Sequence, residues 1–147
     1  HGSSADRLAN LQVGQDCVIT EDLGEPWNKA KDILGVGPLL VQNGSVYLTT
    51  KIEQFGPDVA SGRAPRTAVG LTKDGRVLLA VIDGRQSHSI GYTLLELALF
   101  MQEMGAVSAV NFDGGGSSEM VIGKDIINSP SDGGERKVGS ALVVLGK

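Results

Sequence analysis

The residues best equipped for chemistry cluster in Asn111-Phe112-Asp113-Gly114-Gly115-Gly116-Ser117-Ser118-Glu119. A strand-like run leads there straight into three glycines and two hydroxyls. Successive glycine amides can form a concave nest that points N–H groups at an anion, and Ser117 and Ser118 add hydroxyl donors. Asp113 falls at the carboxyl end of the expected strand, where open sheets commonly hold reactive groups. A flexible Gly-rich turn capped by Asp113 accounts for the same residues equally well.

Three familiar glycine motifs do not fit. A phosphate-binding loop needs Gly-Lys-Ser/Thr after the glycines, which is absent. A nucleophile elbow centred on Ser117 or Ser118 needs glycine where Glu119 or Met120 stands. The dinucleotide fingerprint would place its third glycine at Glu119.

Other polar groups lie at expected strand ends. Arg66-Thr67 opens one strand, Asp83-Gly84-Arg85 closes its neighbour, and Asn128 and Arg136 bracket the last polar loop. A fixed arginine suits bidentate phosphate contact, although Arg66 and Arg85 also read as solvated strand-end charges. Glu96 completes a capping box with Thr93, which explains it without catalysis. His88 sits in a polar loop and reads as exposed. With Cys17 the lone cysteine and no second histidine at ligand spacing, neither a Cys- nor a His-based zinc site is supported.

These groups need a scaffold, and the hydrophobic pattern supplies one. Residues 8–19 read as a helical turn, a glycine stop and a strand, and 26–34 as a short helix. Two β-rich runs flank Asn43-Gly44, the strongest short hairpin signal. Residues 50–65 form a long loop, hence one that is functional or mobile. A second hairpin spans 67–82, and its apolar second strand, 77–82, is expected to be central and covered on both faces. Residues 92–104 make the clearest helix, ended by Gly105. Strands follow at 106–112, 120–127 (as a pair) and 138–145. The expected fold class is α+β, a mixed, largely antiparallel sheet with one principal helix packed on it and strand-end loops forming the site.

The 147 residues suit a single domain that buries roughly two-thirds of its unfolded surface. Thirteen basic against seventeen acidic residues give a net charge of −4, which argues against a nucleic-acid surface. No apolar run approaches the roughly 18 residues of a membrane span. Glycine, at 21 residues, is the compositional outlier and implies tight turns and close backbone approaches.

Six segments occur in one order: Gly37-Pro38-Leu39-Leu40-Val41-Gln42-Asn43-Gly44, Arg66-Thr67-Ala68-Val69-Gly70, Asp83-Gly84-Arg85, Gly91-Tyr92-Thr93-Leu94-Leu95-Glu96-Leu97-Ala98, Asn111 to Ser118, and Asn128-Ser129-Pro130-Ser131-Asp132. Together they resemble the phosphodiester glycosidase family over about residues 36–145. The resemblance implies hydrolysis of a sugar-1-phosphodiester, on a glycan or cell-envelope polymer, to free sugar and phosphomonoester. It also implies an extracytoplasmic setting, secreted or in the cell envelope, and the lack of cysteine pairs fits a bacterial protein. Family domains carry a longer segment before Gly37, so residues 1–147 are expected to be the C-terminal portion of a larger domain. Such a chain would expose a sheet edge, and self-association or pairing with the missing segment is expected.

For that reaction Asp113 is the candidate nucleophile or base. The cradle for the departing phosphate would comprise Arg66, Thr67, Arg85, Gly114, Gly115, Gly116, Ser117 and Ser118, with Asn128 and Arg136 from the last loop. Glu96 would orient an arginine or act as a second carboxylate, and Asp83 would hold an arginine. No cofactor is certain; a divalent cation, Ca²⁺ or Mg²⁺, on Asp113 and Asp83 is chemically open. The competing class is a non-catalytic module that binds a sugar phosphate or cell-wall polymer.

Overall fold

The computed structural model describes Ala9 and residues 11–146. The chain divides into two units, His1–Ile33 and Leu34–Lys147. In the first, a 3₁₀ turn at Trp27–Lys29 is the one helical element among the described residues. Asp22 Oδ1 accepts hydrogen bonds from Gly24 N and Asn28 Nδ2, and Asn28 Oδ1 accepts one from Leu23 N. The helix expected over 26–34 is thus a single turn. None of its residues is buried, and an isolated short helix in water is not sustained without an apolar face to pack. Of the turn and strand expected over 8–19, residues 8 and 10 lie outside the described residues, and 11–19 form no strand.

The second unit is the α+β fold expected. Strands β1 (Leu39–Gln42), β2 (Ser45–Val46), β3 (Arg66–Thr72), β4 (Val77–Ile82) and β5 (Ala106–Asn111) form one antiparallel sheet in the order β2-β1-β5-β3-β4. Asn43-Gly44 makes the first turn, both residues at positive φ, and pairs Gln42 with Ser45. A separate two-stranded pair, β6 (Val121–Ile122) and β7 (Asp125–Ile126), follows Ser118.

Helix α2 (Leu94–Glu103) covers one face of the sheet. Leu94, Leu97, Ala98 and Met101 are buried, and they form one core with Leu40, Val41, Ala68, Ala106 and Ala109. These are the positions that i, i+3, i+4 spacing on the helix and alternation on the strands bring together. Burial of this kind stabilises by about 25 cal/mol per Å² of apolar surface removed from water.

The remaining strand expectations need correction. β4 is an edge strand bonded to β3 alone, with Val77 56% and Leu79 42% exposed. An apolar run cannot tell a covered strand from an edge. The long-range β3–β5 pairing takes β3's other side and leaves β4 outermost. Residues 138–145 form no strand, with Leu142, Val143, Val144 and Leu145 exposed. Strand propensity without a ladder partner gives no strand. The long loop contains a one-turn helix, α1 (Pro57–Ala60), with Pro57 at its first position.

Candidate active site

The sheet gathers the chemistry at one end. β3 begins there with Arg66, β4 and β5 finish there at Ile82 and Asn111, and the chain enters β1 there through Gly37. Antiparallel pairing puts the first residue of β3 beside the last residues of β4 and β5, so Asp83, Arg85 and Asp113 share that rim with Arg66. An open cleft of about 580 Å³ lies at this end. Its polar lining includes Arg66, Arg85, Arg136, Asn111, Asp58 and Asp113; Phe55, Phe112 and Val59 supply apolar wall. The long 50–65 loop is therefore one side of the cleft.

Arg66 is neither a solvated charge nor a freely placed one. It is 4% exposed, and Nε donates to Tyr92 O at 2.9 Å while Nη2 donates to Val59 O at 3.1 Å and Gly62 O at 2.6 Å. These carbonyls hold the guanidinium at the cleft without neutralising it. Burial first, and the nearby charge of Arg85 second, hold its proton affinity below the usual arginine value. Arg85 takes a left-handed backbone conformation, φ +58°, and its guanidinium lies over Gly115. A Cβ on Gly115 would sit 3.1 Å from Arg85 Nη1, so glycine there makes room for the arginine. Arg136 reaches the cleft while its Nη1 pairs with Asp132 Oδ2 at 3.2 Å.

Asp113 is exposed on the cleft wall, and its Oδ1 accepts from Gly114 N at 2.9 Å. The glycines do not form the expected three-amide nest. Gly114 N serves Asp113, Gly115 N donates to Pro65 O, and Ser117 N and Ser118 N close a 3₁₀ turn on Gly114 O and Gly115 O. Only the Gly116 amide has no acceptor among the described residues. The turn is pressed against the start of β3, because a Cβ on Gly114 would meet Pro65 O at 2.9 Å. Gly114, Gly115 and Gly116 still line the cleft with backbone.

Other predicted site residues stand behind the wall. Thr67 Oγ1 donates to Ser118 Oγ at 3.2 Å, with Ser118 fully buried. Ser117 Oγ is buried without a partner among the described residues. Asn128 donates to Asp83 Oδ1 and Ser118 O and accepts from Met120 N, which ties three segments together.

Asp83 does not line the cleft. Its Oδ1 accepts from Asn128 Nδ2 and Ser129 N, each at 3.0 Å, and Gln86 bonds Ser129 in both directions. The side chain thereby anchors the loop that carries Arg136. Of the two carboxylates considered for a cation, Asp113 lines the cleft and Asp83 bonds this loop through Oδ1. The described residues contain no group of three or more His, Cys, Asp or Glu placed to hold a metal ion. Asp83→Asn preserves the accepting Oδ1 and is expected to keep turnover within about twofold. Asp83→Ala strands two donors and should lower stability by about 1–3 kcal/mol. Melting curves and initial rates on both variants check this, and a dead but stable Asp83→Asn would put Asp83 in the chemistry.

Glu96 caps α2. Its Oε2 accepts from Thr93 N and Thr93 Oγ1, each at 2.9 Å, Thr93 Oγ1 accepts from Glu96 N, and its Oε1 pairs with Arg63. The Thr93 backbone hydrogen bond leads the causes that hold its carboxyl below its ordinary value of 4.5. A depressed acid stabilises the fold above its unfolded-state pKa and loses that contribution as pH falls through the lower folded-state pKa. Glu96→Gln is therefore expected to melt slightly below the parent at neutral pH and to converge with it in acid, with the rate unchanged. Melting temperatures across that range and a rate assay test this; a large rate loss at constant melting temperature would move Glu96 into the active site.

Two polar cleft residues were given no role from the sequence. Asp58, on α1, is the second carboxylate of the lining, hidden in a loop with no motif. Asn111 is buried; its Nδ2 donates to Gly37 O at 2.9 Å, while Oδ1 has no partner among the described residues. The one sequence signal was its place immediately before the Phe112-Asp113 strand end.

A sequence profile of the phosphodiester glycosidase family matches residues 1–145, beginning well before the first motif at Gly37. The mouse N-acetylglucosamine-1-phosphodiester alpha-N-acetylglucosaminidase is 30% identical over 148 aligned residues, which cover 88% of this chain and 28% of that protein. The chain thus spans just over a quarter of the length of that relative. A hypothetical protein from Synechocystis superposes with a TM-score of 0.62 at 29% identity, covering 69% of this chain and 19% of that one. The zebrafish N-acetylglucosamine-1-phosphodiester alpha-N-acetylglucosaminidase catalytic domain, auto-inhibited by its pro-peptide, gives 0.55 at 28% identity, covering 63% and 33%. With that profile spanning nearly the whole sequence, the chain belongs to the phosphodiester glycosidase family.

Proposed function

We propose that the chain carries the catalytic cleft of a hydrolase that splits a sugar-1-phosphodiester into free sugar and phosphomonoester. The observation that carries this reading is a pair of guanidiniums, Arg66 and Arg85, without carboxylate partners among the described residues, sharing one cleft with the exposed carboxylate of Asp113. Breaking the anomeric C–O bond leaves a phosphate that is already anionic, so protonating it matters less than in an ordinary glycoside. Fixed positive charge aimed at the departing oxygen lowers the barrier directly. Asp113 stands by the anomeric carbon as nucleophile or base. Asp58 is the other carboxylate the cleft offers, and it replaces Glu96 in the role of second carboxylate. Phe55 and Phe112 give a sugar ring flat apolar surface. The substrate class, a glycan or envelope polymer outside the cytoplasm, is supported by the family and by this anion-accepting cleft.

The test is incubation with an α-linked N-acetylglucosamine-1-phosphodiester, scoring free reducing sugar and phosphomonoester together. Stoichiometric release of both supports hydrolysis. Saturable binding of the diester with no release would make the chain a sugar-phosphate binding module instead.

A further inference from the structure

We propose that the Arg66–Arg85 end of the cleft binds phosphomonoester dianions in preference to phosphodiester monoanions, so that the phosphate product of hydrolysis is the enzyme's own competitive inhibitor. This rests on the functional reading above for its biological meaning, but the binding preference itself does not need turnover.

The charges decide it. Arg66 gives its hydrogen bonds to three backbone carbonyls, whose partial charges do not cancel a full positive one. Arg85 makes no ion pair or side-chain hydrogen bond among the described residues. The depressed proton affinity of Arg66 carries a contribution from Arg85, as expected of two like charges sharing one site. The other charges facing the cleft are Arg136 from the last loop, already paired with Asp132, Asp58 from α1, and Asp113 after β5. Neither Asp58 nor Asp113 forms an ion pair with either arginine. Arg66 and Arg85, neither paired with a carboxylate among the described residues, present two full positive charges to an anion in the cleft.

A phosphodiester brings one negative charge. A phosphomonoester brings nearly two above its second pKa of about 6. In the reaction the C–O electron pair stays on the phosphate oxygen, the hydroxyl of water joins the anomeric carbon, and the remaining proton passes to solvent. The second charge therefore develops on the phosphate as the bond breaks. Groups that stabilise it lower the barrier, and they go on holding the product afterwards.

The test is titration calorimetry on the full chain with methyl phosphate and dimethyl phosphate, at about pH 7.5 and about pH 5, on either side of the phosphate titration. Methyl phosphate is expected to bind about tenfold tighter at the higher pH, with the ratio falling towards one in acid. Arg85→Gln, at an exposed side chain with no bonding role in the fold, should erase the preference, and Arg85→Lys should restore part of it. Equal affinities at the higher pH, or no measurable methyl phosphate binding, overturn the proposal. So does a preference that survives Arg85→Gln. Preference without hydrolysis of any sugar phosphodiester would sink the catalytic reading, and product inhibition with it, and leave only the binding preference standing. Hydrolysis without preference would do the reverse.

Discussion

Asp113→Asn is expected to cut turnover of a sugar-1-phosphodiester on the order of 10³-fold while leaving the melting temperature near that of the parent. The magnitude is that of losing a positioned acid–base or nucleophilic carboxylate. The fold should survive because the side chain is exposed and its one hydrogen bond, accepted by Oδ1 from Gly114 N, is available to an asparagine oxygen. Binding of phosphate-containing ligands should persist, since Arg66 and Arg85 are untouched. Initial rates and melting curves measured side by side decide it. A variant that retains near-parental kcat removes Asp113 from the reaction and makes Asp58 the carboxylate to substitute next.

The largest stability effect is expected at Gly91. Its φ is +86°, and a Cβ there would lie 2.4 Å from Ala64 O and 3.0 Å from Ala64 Cα. Both neighbours are backbone and cannot swing aside, because Ala64 N donates to Tyr92 O and Tyr92 N donates to Ala64 O, at 3.2 and 3.1 Å. Tyr92 O also accepts from Arg66 Nε. Gly91→Ala should therefore cost about 3 kcal/mol or more in chemical denaturation and weaken phosphate binding by displacing Arg66. Gly105→Ala is the control. Gly105 has a similar φ of +89° with nothing within 4 Å, so it should cost only the left-handed strain, roughly 1–2 kcal/mol. Equal losses at the two positions would show that conformation, rather than the Ala64 contact, sets the cost.

Several elements were determined by the sequence itself, and each is local. Asn43-Gly44 makes its hairpin because both residues tolerate positive φ. Thr93 and Glu96 cap α2 because three residues of spacing put each side chain on the other's backbone N–H. The apolar rows of α2 find the sheet because their period matches the helix. The six ordered motifs pointed to the family, and the matching profile shows it.

Tertiary structure decided the rest. Whether β4 is central or outermost depends on which strand takes the far side of β3, and β5 does so across 33 or more residues of intervening chain. Arg66 could have been a solvated charge; it is buried because carbonyls from two stretches of chain, Val59 and Gly62 of the 50–65 loop and Tyr92 before α2, converge on it. Asp83 has the same carboxylate as Asp113 and also follows a strand. It anchors a loop because Asn128 and Ser129, far along the chain, arrive at its Oδ1. Asp58 enters the cleft only because the 50–65 loop folds over it. Residue type and spacing state what a group could do. The partners that satisfy or strand its charge are set by long-range packing, which no local window of sequence contains.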